Sequence, residues 1–238
     1  MARFATHALR ADAALVAYGG VRVDGVTTQP SLTERRKAAT QLDIARAAAE
    51  LFAERGPDGT TADEIAGRAG IALRTFYRYF RSKEDAVSPL LSAGGARWRA
   101  LVATEAADTA GAELREALVR AARASLTAET EGWSLGHGWA AAEGTRGLLR
   151  AAADDAALRA VWYRVNQESE EQLTDVLAAL PGLAGHAEAL ELKMIAAAAT
   201  DAIRLALETW AASDAPLDGD AGPAALVEGC MRKLLQWL

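Results

Sequence analysis

Between its prolines the chain repeats apolar residues at helical intervals, and nowhere does it alternate them over the length a sheet requires. Leu42, Ala45, Ala49 and Phe52 recur three or four residues apart, with Ile44, Ala48 and Leu51 widening the stripe. That spacing places one face of a helix against a core. The longest stretch of alternating β-branched residues is Gly20–Thr28, GVRVDGVTT. A lone hairpin is marginal in water, so residues 1–31 are expected to form a flexible N-terminal arm. Pro30, Pro57, Pro181, Pro216 and Pro223 fall in or beside stretches rich in Gly, Asp or Ser that read as connections. Pro89 falls inside a helical segment instead. The expected fold class is all-α.

Local signals set the first helices. One runs from Leu32 to Arg55 and stops at Gly56-Pro57, where Gly supplies a left-handed cap and Pro cannot continue the ladder. After Asp58-Gly59, Thr61 and Glu64 have the spacing of a capping box, and Asp63 and Glu64 suit the positive end of the helix dipole. Gly70 ends this second helix after Ala69. A third covers Leu73–Phe80, and Ser82 with Asp85 opens a fourth. Beyond Lys83, helices are expected near 83–107, 111–128, 139–152, 155–180, 186–212 and 223–238. Pro89 removes an N–H and clashes with the preceding turn, so the 83–107 helix is expected to kink or break between 86 and 95, where Gly94-Gly95 also lie.

Charge divides the chain more sharply than composition does. The 238 residues carry a net −6, yet residues 31–83 hold ten basic and seven acidic groups, and residues 84–238 hold thirteen basic and twenty-three acidic ones. A small basic module is attached to an acidic body. No apolar run exceeds six residues, against about 20 for a membrane span, so no membrane partner is expected. The single Cys230 excludes an intramolecular disulfide framework. With no leader pattern at the N-terminus, a cytoplasmic location is expected. His7, His137 and His186 show no ligand spacing, and no phosphate loop, nucleophile elbow or HExxH occurs. No metal, cofactor or enzymatic role is expected.

Two short helices joined by a Gly turn have the layout of a helix-turn-helix, whose second helix enters the major groove. From Ile71 to Lys83 there are four basic side chains, Arg74, Arg78, Arg81 and Lys83, and no acid, interleaved with Thr75, Tyr77 and Tyr79. Ile71, Phe76 and Phe80 turn inward on this helix, while Leu73, Arg74, Tyr77 and Arg78 share another face. Donors for phosphates and a few side chains for base edges are both present.

Leu51-Phe52-Ala53-Glu54-Arg55-Gly56, Thr60-Thr61-x-x-x-Ile65-Ala66, Ala69-Gly70-Ile71 and Thr75-Phe76-Tyr77-Arg78-Tyr79-Phe80-x-Ser82-Lys83-Glu84 resemble the N-terminal domain of the TetR/AcrR transcriptional regulators. The resemblance covers residues 35 to about 90. It implies a three-helix DNA-binding domain at 32–83 with a helix-turn-helix, followed by a larger helical ligand-binding and dimerisation domain at 84–238. It further implies a homodimer on a pseudo-palindromic double-stranded operator, a repressor released by a small-molecule effector of unknown identity. By position, Thr61, Thr75, Tyr79 and Lys83 would hold phosphates, and Leu73, Arg74 and Tyr77 would face bases. Ala72 stands where many members have Ser, and Arg74 where many have a small residue. The competing reading is a small-molecule-binding protein or enzyme with a vestigial helix-turn-helix.

In the acidic body, Trp98, Trp133, His137, Trp139, Trp162 and Tyr163 are candidates to line a ligand pocket, since large aromatics with polar handles suit one. Filling an Ala/Leu core is the alternative for each. Leu192, Ile195, Ala199, Ile203 and Trp210 lie near one face of the 186–212 helix, and Leu234 extends an apolar row on the last one. These two helices are the candidate dimer interface.

Overall fold

The computed structural model describes residues 31–107, 109–127, 138–183 and 188–238. The expected arm, including Gly20–Thr28, lies outside them apart from Ser31. Among the described residues the structure is helical throughout, with no strand. Helix α1 (Leu32–Arg55) opens on a capping box, with Ser31 accepting from the Glu34 N–H and Glu34 accepting from the Ser31 N–H. It closes at Gly56, whose φ of +74° is the left-handed conformation that favours glycine. Helix α2 (Ala62–Arg68) has the expected Thr61–Glu64 capping box. Gly70, at φ +68°, turns the chain so that the Ile71 N–H reaches the Ala66 carbonyl at 2.9 Å, and α3 (Leu73–Tyr79) begins two residues on.

The fourth helix departs from expectation. Ser82 does accept from the Asp85 N–H at 3.1 Å, but the chain then makes a single 3₁₀ turn, Asp85–Val87, and α4 spans Ser88–Glu105. Pro89 thus sits in the first turn of α4, where an N–H has no intrahelical partner to lose and the fixed φ suits the helix. The break lies ahead of Pro89 rather than after it. From there α4 runs unbroken through Gly94-Gly95.

Helices α5 (Gly111–Leu126), α6 (Gly138–Asp154), α7 (Ala156–Ala178), α8 (Ala189–Ala212) and α9 (Pro223–Leu234) complete the body. Two buried clusters organise the packing. One joins Ile44, Leu51 and Phe52 of α1 to Ile65, Phe76 and Phe80, and runs on through Val87 to Leu148 of α6 and Leu158 of α7. The other gathers Trp98, Leu114, Leu118, Leu173, Leu177, Ile195 and Met231 from α4, α5, α7, α8 and α9. Leu91 touches both. The first unit is therefore not closed by its own three helices; α6 and α7 complete its core.

Candidate nucleic-acid interface and effector cavity

The inward face of α3 anchors it. Phe76 is fully buried and its ring lies 5.8 Å from that of Phe80. Leu73, Arg74, Tyr77 and Arg78 are exposed, Tyr77 at 57%, which is high for so large an apolar surface on a folded chain. Thr75 and Tyr79 are half-buried, and the Arg78 guanidinium lies 5.2 Å from the centre of the Tyr79 ring. Arg74, Arg78 and Arg81 have no carboxylate partner among the described residues. Arginines on α1 and α2 do: Arg55 pairs with Glu64 at 2.8 Å, and Arg68 with Glu54 at 3.0 Å and Glu50 at 3.3 Å. Charge is thus neutralised between α1 and α2 and left open on α3.

Two candidates for phosphate contact also hold the loop ahead of α2. The Lys83 ammonium donates to the carbonyls of Pro57 at 2.7 Å and Thr60 at 3.0 Å, tying the α1–α2 connection to the end of α3. The Thr61 hydroxyl is engaged with Glu64, accepting from its N–H and lying 2.9 Å from its carboxylate. The Thr61 backbone N–H, the Thr61 hydroxyl and Arg55 together hold the Glu64 carboxyl below its ordinary value. Helix α3 begins at Ala72 without a side-chain cap.

A cavity of about 700 Å³ opens between α1, α4, α5, α6, α7 and α8, within the range of small-molecule sites. Its wall is largely apolar, with Trp98 and Trp162 on it. Two of its carboxylates reach the DNA-binding unit. Glu50 is one acceptor for Arg68 of α2. Glu168 accepts from Arg164 at 2.7 Å, and Arg164 also donates to Asp85, whose other oxygen accepts the Arg81 N–H at 3.3 Å just beyond α3. Among the described residues no cluster of His, Cys, Asp and Glu could hold a metal, and no helix is long and apolar enough to cross a membrane.

Residues 44–87 match the family model described as bacterial regulatory proteins, tetR family. The chain is 34% identical over 117 residues to the HTH-type transcriptional repressor Rv3405c of Mycobacterium tuberculosis, covering 47% of this chain and 60% of that one. It is 30% identical over 159 residues to the HTH-type transcriptional regulator TcmR of Streptomyces glaucescens, covering 65% and 66%. The chain belongs to the tetR family of bacterial regulatory proteins. Its match spans only about three-fifths of the mycobacterial relative's length. Among solved structures, FadR of Bacillus subtilis in complex with stearoyl-CoA is similar over 83% of this chain and 98% of that one, with 22% identity and a TM-score of 0.49.

In this tetR-family chain the residues predicted for the site separate. Trp98 and Trp162 come together on the cavity wall, whereas Tyr163, next to Trp162 in sequence, is half-exposed outside it, under the Arg204 guanidinium at 5.6 Å. Trp133 and His137 lie outside the described residues, and Trp139 is on α6 by its backbone alone. The predicted dimer face is corrected: Leu192, Ile195, Ala199 and Trp210 are buried in the chain's own core, and Ile203 lines the cavity, which leaves a partner nothing to cover there. Leu234 is exposed. Missed altogether were the α1 residues of the cavity, Arg46, Ala49, Glu50 and Ala53, and Thr200 of α8. Nothing local marks them, because they reach the cavity only through tertiary packing.

Proposed function

We propose that the protein is a ligand-responsive transcriptional regulator, a repressor that binds an operator through α3 and lets go when a small molecule fills the cavity. The observation that carries the reading is the outward face of α3, an exposed set of Leu73, Arg74, Tyr77 and Arg78 with cations that no carboxylate of the described residues neutralises. Such a face suits the base edges of the major groove, while Thr75 and Tyr79 beside it suit phosphates. Glu50–Arg68 and Glu168–Arg164–Asp85 give an occupant of the cavity two polar routes to the DNA-binding unit. The reading assigns the protein no catalytic step and a cytoplasmic place of action.

Operator binding in this reading is by a homodimer. Exposed apolar residues of the body include Leu190, Met194 and Leu205 on one face of α8, with Leu234 and Trp237 at the end of α9. A second copy would cover this row and set two α3 helices roughly 34–36 Å apart, one turn of DNA, or a multiple of it. The test is selection of DNA by the purified chain from a random duplex pool, then titration of the selected site across a salt series. A selected palindrome bound with strong salt dependence is the expected result; absence of any selected sequence removes the reading.

A further inference from the structure

The wall of the cavity holds buried hydrogen-bonding groups that no described residue matches. The Nε1 of Trp98 and the Oγ1 of Thr200 have no partner among the described residues, although their side chains are buried, at 1% and 5% exposure. The Nε of Arg97, also a wall residue, is likewise without one. An unmatched buried donor costs on the order of 1–3 kcal/mol, so such groups are rare and call for a reason.

Several other indole N–H groups and helical threonine hydroxyls among the described residues are matched. Trp162 donates from Nε1 to Glu208 at 2.8 Å, and Trp210 to the Ala215 carbonyl at 3.2 Å. Thr40, Thr104 and Thr174 each donate to the carbonyl four residues back, at 3.0–3.1 Å, as helical threonines can. Thr200 is mid-helix in α8 and does not take the Ala196 carbonyl. Trp98, Arg97 and Thr200 come together, on α4 and α8, in the wall of one cavity.

The unmatched set also has a chemical sign. An indole N–H and a guanidinium N–H only donate, and a hydroxyl donates or accepts. The carboxylates of the wall are already taken, Glu50 by Arg68 and Glu168 by Arg164. Each wall carboxylate thus already faces an internal cation, and the unmatched buried N–H groups call for an acceptor rather than a further donor.

Resting on the reading of this cavity as the effector site, we propose that the effector is a lipophilic molecule of drug size bearing acceptor oxygens, as carbonyl or carboxylate, and no positive charge. One such oxygen takes the Trp98 N–H and another pairs with the Thr200 hydroxyl, while the apolar body of the molecule lies against the wall between them. A cationic ligand of the same size and shape is rejected, because it adds donors to a site already rich in them.

Three probes on one ring system separate the classes: 9-acetylanthracene, anthracene-9-carboxylate and 9-(aminomethyl)anthracene, each titrated into the full chain by fluorescence. The ketone or the carboxylate, or both, is expected to bind at least about tenfold more tightly than the amine, the scale of one good hydrogen bond plus an avoided clash of donors. Thr200→Val keeps the shape of the side chain and removes its hydroxyl; it is expected to weaken the better acceptor probe by about three- to tenfold and leave the amine unchanged. Trp98→Phe is expected to act in the same direction. If that variant loses its cooperative helical melt, Thr200→Val carries the test. Amine binding as tight as that of the acceptor probes, no binding by any probe, or an unchanged acceptor affinity in Thr200→Val would each overturn the proposal. Operator binding is read separately: a chain that discriminates the probes but selects no DNA loses the regulator reading and keeps this one, and a chain that selects DNA but binds no probe does the reverse.

Discussion

Helices α3 and α8 both present large apolar side chains, and they dispose of them in opposite ways. On α8, Ile195 and Trp210 are wholly buried, and each removes apolar surface from water within the chain. On α3, one face does the same through Phe76, but Leu73 and Tyr77 stay in solvent beside Arg74 and Arg78. The difference is in what surrounds them. Helix α8 is covered by α6, α7 and α9, whereas α3 is seven residues long and packs only through its inner edge. A helix that leaves most of Tyr77 exposed gains little from it in the isolated chain beyond an edge contact with the Phe76 ring at 5.4 Å, so its use lies in what the helix meets. The cost of removing a residue should therefore appear in stability for α8 and in DNA affinity for α3.

Trp210→Ala is expected to have the largest effect, destabilising the fold by about 3–5 kcal/mol, as for other buried tryptophans. Chemical denaturation followed by circular dichroism measures it, and a variant as stable as the parent would erase the contrast between the helices. Tyr77→Ala and Arg74→Ala are each expected to leave stability within about 0.5 kcal/mol of the parent and to cost roughly 1–3 kcal/mol in binding of the selected duplex. If either instead lowers the melting temperature with DNA binding intact, α3 is a structural helix like α8.

Thr61→Ala sharpens the comparison, since Thr61 caps α2 and is also a candidate for phosphate contact. Loss of the cap is expected to cost about 1 kcal/mol of stability. A loss of DNA affinity in Thr61→Ala beyond that in Thr61→Ser, which keeps the hydroxyl, would assign that hydroxyl a place at the duplex.

The smallest effect concerns acid. Glu54 is held below its ordinary value chiefly by Arg68, and Glu64 chiefly by the Thr61 backbone N–H. Carboxylates depressed in the folded state add stability above their unfolded value of about 4.3 and lose it as pH falls through the lower folded one. Stability from these groups is expected to hold from pH 7 to about 4.3 and to decline below it. Glu54→Gln with Glu64→Gln should flatten that decline, and thermal melts across the range would show it. An unaltered acid limb would mean the exposed pairs between α1 and α2 contribute nothing measurable.

What the sequence determined by itself is local. Ser31 and Thr61 with their glutamates, Gly56 and Gly70 at positive φ, and the acid-free run from Ile71 to Lys83 each depend on residues within a few positions of one another. Capping, turn formation and the outward face of a short helix arise from such spacings, so the helix-turn-helix and its candidate contacts were legible. Pro89 shows where this ends: its effect depended on where α4 began, and a 3₁₀ turn placed it in the first turn rather than the interior. Tertiary structure alone decided which side of α8 faces inward, because an Ala-rich helix with apolar residues on several faces carries no strong direction of its own. It alone brought α1 to the cavity, paired Arg164 with Asp85 across 79 residues, and left Trp98 Nε1 and Thr200 Oγ1 without partners among the described residues in one wall. Those contacts join positions far apart in the chain, and no periodicity encodes which of them will meet.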